Sequence, residues 1–92
     1  MHRVAAVQTE YSLWTRNPEL AVLECCRELG IAFVAFSPVG RGVLTGADID
    51  PAGFVESDIR RAMPRFGGDN WSANRALLDQ FVALAEGAGL AP

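Results

Sequence analysis

The feature that most constrains this chain is an unbroken apolar run, Ile31-Ala32-Phe33-Val34-Ala35-Phe36, which starts directly after Gly30 and stops at Ser37-Pro38. A run of that length, bounded by Gly and Ser-Pro, predicts a strand buried on both faces. Just upstream, Val22, Leu23, Cys26 and Leu29 recur at helical spacing, with Glu24 and Glu28 opposite. Asn17 is placed to cap that helix, Pro18 suits a first helical position, and Glu19 suits the positive end of the dipole. The pattern predicts a helix over 18–29, stopped by Gly30 as its C′ residue. Earlier still, Val4-Ala5-Ala6-Val7 predicts a short buried strand closed by Gln8. Strand, helix and strand with short connections make a βαβ unit, which requires parallel strands and a right-handed crossover. One helix cannot cover both faces of two apolar strands.

Residues 37–69 follow as a long segment rich in Gly and Pro, with a helical turn expected near 57–62. A segment this long without regular structure is usually functional rather than connective. A last helix is expected to begin near 70–73. Leu77, Leu78, Phe81, Val82, Leu84 and Ala85 form its apolar stripe, and Gly89 is its C′ residue.

Charge and composition narrow the function. The 92 residues carry a formal net charge of -3, which argues against a nucleic-acid surface. At 50% hydrophobic the chain is too apolar for disorder, yet no apolar run is long enough for a bilayer-spanning helix. No secretory leader opens the sequence. Cys25 and Cys26 are adjacent, a poor geometry for a disulfide, and with His2 they do not complete a metal site. They read as small apolar helix residues in a reducing, cytoplasmic compartment.

Gln8 and Phe36 are expected to close the two strands. Parallel strands put such ends on one rim, where parallel α/β folds bind ligands. An amide and an aromatic ring there could hold a flat polar heterocycle, or Gln8 could satisfy loop backbone and Phe36 could be core. Ser37-Pro38-Val39-Gly40-Arg41-Gly42 comes next. Its glycines permit close backbone approach to an anion, and Arg41 adds a fixed positive charge, so the segment reads as a pyrophosphate cradle. It matches neither the G-x-G-x-x-G fingerprint nor a Walker loop. Arg60, Arg61 and Arg65 read as a solvated cluster with Asp58 and Asp69 as partners. Trp14 and Trp71 lie in or beside loops, where each could line a pocket or cap a core.

These residues also carry a family resemblance. Val7-Gln8-Thr9-Glu10-Tyr11-Ser12-Leu13 resembles the V-Q-x-E-Y-S-L segment of aldo-keto reductases. Cys26 through Gly46 resembles that family's C-R-E-L-G-I-x-F-V-A-Y-S-P-L-G-R-G-x-L-T-G stretch. Asp58, Arg60, Pro64, Arg65 and Phe66 match a D-x-R-x-x-x-P-R-F element of one branch, and Asn70 and Asn74 continue it. Leu84 through Pro92 is similar to L-A-x-x-x-G-x-T-P, with Ala91 where Thr is common. The motifs run in order over nearly the whole chain.

The resemblance implies an α/β fold, part of a (β/α)₈ TIM barrel, with residues 1–92 as a partial domain of an NADP-dependent oxidoreductase. It implies NADPH as cofactor and a small-molecule carbonyl substrate, an aldehyde or ketone, for the full-length protein. Gln8 would contact the nicotinamide carboxamide. Phe36 would stack on the ring, in place of the usual Tyr or Trp. Ser37, Pro38, Val39, Gly40, Arg41 and Gly42 would wrap the pyrophosphate. The family's Asp, Tyr, Lys and His tetrad has no counterpart here. The chain has no lysine, its only histidine is His2, and its only tyrosine, Tyr11, lies in the cofactor-side motif. The segment that usually holds the 2′-phosphate is missing too. The expectation is therefore a piece of a longer reductase, inactive alone, with no catalytic residue of its own and poorly soluble as a free monomer. Its partner would be the missing barrel portion or another copy. The alternative is a stand-alone module that binds nucleotide through residues 36–42 or pairs strands with another chain.

Overall fold

The computed structural model describes residues 2–92, so Met1 of the expected 1–92 domain lies outside the described residues. They form two compact units, one up to Gly40 and one over Arg41–Pro92.

In the first unit, strand β1 (Ala6–Glu10) pairs in parallel with β2 (Ala32–Phe36), and helix α1 (Val22–Leu29) connects them. The expected βαβ order is present. α1 packs on β2. Register pairs Val7 with Phe33 and Thr9 with Ala35, and of these Val7, Phe33 and Thr9 are half-buried. The opposite face carries Ala6, Gln8, Val34 and Phe36, all exposed. Burial on both faces is thus not met within the described residues, because one helix covers one face.

β1 lies two residues later than expected. Gln8 does not close the strand. Thr9 and Glu10 continue the ladder opposite Ala35 and Phe36, and the Tyr11 N–H donates to the Phe36 carbonyl at 3.1 Å. The helix start also differs. Asn17–Leu20 forms a 3₁₀ turn with no side-chain cap, and the α-helix begins only at Val22. Glu19 sits within that turn. Its carboxylate accepts from Arg16 Nε at 2.8 Å, from Arg16 Nη2 at 2.7 Å and from the Tyr11 hydroxyl at 2.9 Å. Glu19 thus lies in the first turn of the 3₁₀ segment rather than of the α-helix, with its carboxylate engaged by Arg16 and Tyr11. The helix ends as expected. Gly30 has φ 62°, its N–H donates to the Arg27 carbonyl at 3.4 Å, and the Ile31 N–H donates to the Cys26 carbonyl at 2.8 Å. This pair of hydrogen bonds is the Schellman stop, which needs a left-handed C′ residue.

The second unit is built on helix α2 (Gly68–Gly87), preceded by short 3₁₀ turns at Pro51–Gly53, Ile59–Ala62 and Pro64–Phe66. Its packing centre is aromatic. Phe66 meets Phe54 edge-on with centroids 5.5 Å apart and stacks on Trp71 at 5.6 Å. Val43 and Leu78 are buried with it. Asn74 Nδ2 donates to the Arg65 carbonyl at 2.8 Å and Asn70 Nδ2 to the Pro64 carbonyl at 3.1 Å, tying the turn to the helix. α2 closes with Gly89 N–H to the Glu86 carbonyl and Leu90 N–H to the Ala85 carbonyl, each at 2.9 Å. Its apolar stripe divides. Leu78 is buried and Phe81, Val82 and Ala85 are half-buried, while Leu77 and Leu84 are 59% and 74% exposed. Leu77 and Leu84 lie two turns apart on a line about 100° away from that of Leu78. No helix among the described residues is long and apolar enough to cross a membrane.

Candidate functional site

Gln8 and Phe36 project from the same face of the β1–β2 ladder, because Gln8 pairs with Val34 and Phe36 pairs with Glu10. They are not level. Phe36 ends β2, whereas Gln8 lies two residues before the end of β1, an offset along the strands of about 6.6 Å. Both side chains are exposed, Phe36 by 36%.

Backbone conformation changes sharply after Phe36. Ser37 has φ 51°, and its carbonyl accepts from the Gly40 N–H at 3.0 Å. Pro38 and Val39 are exposed, whereas Gly40 is buried. Gly40, Arg41 and Gly42 then have φ 60°, 64° and 95° in succession. Glycine adopts these values freely, but left-handed backbone costs an ordinary residue about 1–2 kcal/mol. Ser37 and Arg41 are the two non-glycine residues with positive φ among the described residues. Both fall in the segment expected to wrap a pyrophosphate. Backbone held in costly conformations concentrates at ligand-binding sites. Gln8 and Phe36–Gly40 belong to the first unit, while Arg41 and Gly42 open the second.

Within the second unit, two peptide carbonyls of this segment are engaged by side chains. Arg60 Nη1 donates to the Arg41 carbonyl at 3.4 Å, and Thr45 Oγ1 donates to the Gly42 carbonyl at 2.7 Å. Arg60 is itself held on three sides. Asp58 accepts from its Nε at 3.0 Å and its Nη2 at 2.6 Å, and also from its backbone N–H at 2.9 Å, capping the 3₁₀ turn Ile59–Ala62. The guanidinium lies 4.1 Å from the centroid of the Phe54 ring. Hydrogen bonds from the Arg60 side chain, then from its backbone, hold the Asp58 carboxyl below its ordinary range. Expected as a solvated pair, Asp58 and Arg60 are only 16% and 28% exposed. Sequence reasoning found the Asp58 partnership but missed the contact with Arg41, since residues 41 and 60 are joined by no periodic pattern.

Tyr11 has a structural task. Its hydroxyl donates to Glu19, and that bond raises the phenol above its ordinary value. A proton-donating tyrosine near neutral pH needs the opposite shift. Its ring meets Phe33 edge-on at 5.8 Å. The buried Ser12 Oγ accepts from the Trp14 N–H at 3.1 Å and the Thr15 N–H at 3.0 Å, folding the chain back after β1. Trp71 belongs to the Phe66 stack. Cys25 is exposed and Cys26 buried, both as free thiols. No cluster of His, Cys, Asp or Glu suited to a metal occurs among the described residues. The second unit also has a cleft of about 250 Å³ whose lining includes Val43, Ile49, Trp71, Leu78 and Val82 with the charged Asp48 and Arg75. None of the expected cofactor residues lines it.

Comparison with known proteins gives the family. The family model described as "Aldo/keto reductase family" matches residues 2–92. The protein named Aldo-keto reductase str7, from Strobilurus tenacellus, is 42% identical over 89 residues, which cover 94% of this chain and 26% of that protein. Aldo-keto reductase yakc of Schizosaccharomyces pombe, whose name specifies NADP(+), is 39% identical over 95 residues, covering 100% of this chain and 28% of that protein. The chain therefore spans about a quarter of the length of these curated relatives.

Proposed function

This chain belongs to the aldo/keto reductase family, and from that premise we propose that it supplies the nicotinamide- and pyrophosphate-facing part of an NADPH-dependent reductase of aldehydes or ketones. The observation that carries the reading is the left-handed backbone at Ser37, Gly40, Arg41 and Gly42, directly beyond the carboxyl end of β2. A ligand with a pyrophosphate gives that conformation a use. The residue chemistry fits the cofactor: an exposed aromatic face, an exposed amide on the same sheet face, two glycines in the turn and one arginine.

NADPH, when bound, supplies the hydride. The residues of this chain bind and orient. Phe36 offers a ring face for stacking without a hydroxyl contact. The Gln8 amide can donate to and accept from a carboxamide, which fixes the rotation of a flat ring. Ser37 and Arg41 supply a hydroxyl and a planar cation for phosphate oxygens, and Gly40 and Gly42 let the main chain come close. None of these groups is suited to move a proton to a carbonyl, so proton donation is assigned to other parts of the whole protein.

The open sheet supports placement in a barrel. Among the described residues each strand has one partner, and Ala6, Gln8, Val34 and Phe36 on one sheet face are exposed. In a (β/α)₈ barrel further strands flank both edges and one sheet face lines the interior. The free thiols fit a reducing compartment, and we assign the protein to the cytoplasm on that ground.

The test is NADPH-dependent reduction of a panel of aldehydes and ketones by the natural full polypeptide carrying this chain. Gln8→Ala and Phe36→Ala are expected to raise the KM for NADPH about tenfold or more. Unchanged KM in both variants would remove Gln8 and Phe36 from the cofactor site.

A further inference from the structure

We propose that Asp58 and Arg60 are positioning residues that hold the Arg41 turn in its ligand-binding conformation, acting through the Arg41 carbonyl rather than by touching the ligand. The inference rests on the cofactor reading above and adds to it a pair of residues outside the binding segment.

Four observations support it. Arg41 is not glycine, yet its φ of 64° lies in the left-handed region, so contacts elsewhere must hold it. Its carbonyl receives a hydrogen bond from Arg60 Nη1 at 3.4 Å, from a residue 19 positions later. The next carbonyl, that of Gly42, is taken by the Thr45 hydroxyl at 2.7 Å. Carbonyl oxygens repel phosphate oxygens, and both are drawn to donors of their own unit. Finally, Arg60 is a fixed donor. Asp58 takes its Nε and Nη2, and Phe54 lies under its guanidinium at 4.1 Å, with Phe66 packed against Phe54.

This geometry separates two roles that charge alone would merge. Arg60 is paired with a carboxylate at 2.6 Å, so its charge is largely compensated. Arg41 carries the contact to an anion, and Arg60 fixes the backbone from which the Arg41 side chain departs. The D-x-R spacing follows from the same geometry. Asp58 caps the turn with one oxygen and grips the arginine two residues on with both, which Asn or Glu at position 58 could not reproduce in full.

A double-mutant cycle tests the proposal in the natural full polypeptide, with NADPH as the probe and Kd read by fluorescence titration. Arg60→Met keeps an unbranched apolar side chain and removes the guanidinium, with its hydrogen bonds and its contact over Phe54. It is expected to raise Kd about tenfold. Combined with Arg41→Ala, it is expected to add no more than about twofold beyond Arg41→Ala alone, since its effect passes through Arg41. Asp58→Asn keeps the cap and loses the charge, and serves if Arg60→Met fails to fold. It should weaken binding in the native background and not in the Arg41→Ala background. Fully additive effects would overturn the proposal in favour of direct contact with the ligand. A lowered unfolding midpoint with unchanged Kd would overturn it in favour of a purely structural pair. Arg41→Ala alone reports on the underlying reading. If it leaves Kd unchanged, the cofactor assignment of this turn fails and the positioning role falls with it.

Discussion

Replacing Phe66 with alanine removes the side chain on which the second unit turns. Phe66 is 4% exposed, with Phe54 on one side at 5.5 Å and Trp71 on the other at 5.6 Å. Deleting a buried phenylalanine costs about 3–5 kcal/mol through lost transfer energy and the cavity left behind. Two aromatic pairs are lost with it, each worth about 0.5–1.5 kcal/mol beyond area burial. Because neighbours relax only partly, we expect a loss of about 4 kcal/mol for Phe66→Ala. For Phe66→Leu, which keeps most of the volume, we expect about 1–2 kcal/mol. Urea unfolding of the natural full polypeptide, followed by tryptophan fluorescence, measures both, since Trp71 stacks on the deleted ring. A second consequence distinguishes this cluster from a generic core. Phe54 supports Arg60, so Phe66→Ala should also weaken NADPH binding in the fraction that remains folded. A loss below about 1 kcal/mol at unchanged m-value would refute the reasoning, because a side chain this buried must leave a cavity.

Gly30→Ala should destabilise by about 1–2 kcal/mol, since the Schellman stop holds this residue at φ 62°, and a thermal melt reads it directly. Stability should also fall in acid. Hydrogen bonds from Arg60 hold the Asp58 carboxyl below its ordinary value, and those from Arg16, then Tyr11, do the same for Glu19. A depressed folded value means that the stabilisation is complete above the unfolded carboxylate range, about pH 4, and is lost as pH falls through the folded value. Melting temperatures recorded from pH 7 to pH 3 should therefore drop at the acid end, and Asp58→Asn with Glu19→Gln should flatten that drop. An equally steep acid limb in the double variant would assign it to other groups.

What the sequence made legible follows from how local each signal is. β2 and the stops of α1 and α2 depend on neighbours in sequence, namely an apolar run, Gly30 and Gly89, and all appear where expected. The start of α1 does not. Asn17-Pro18-Glu19 is a sound capping sequence, yet it forms a 3₁₀ turn without a side-chain cap, and Glu19 also accepts from the Tyr11 hydroxyl eight residues earlier, a contact that no capping rule contains. β1 was displaced for a related reason. A polar Gln8 reads as a strand end, yet pairing with β2 carries the ladder through Thr9 and Glu10, and pairing outweighs intrinsic preference in strands. In the candidate site, Gly40 and Gly42 announced the turn. The left-handed values at Ser37 and Arg41 could not be read, since neither residue type favours them. Arg60 was visible as a charge but not as a support, because its packing on Phe54 and its bond to the Arg41 carbonyl span segments without periodicity.

Hydrogen exchange of the natural full polypeptide, with and without NADPH, tests the central claim most directly. The account predicts that saturating NADPH slows amide exchange over residues 36–42, and does so far less in Arg41→Ala at the same concentration. Absence of NADPH binding would contradict it. So would protection confined to other segments, such as the Trp71–Leu78 cleft, with residues 36–42 exchanging at the same rate in both states.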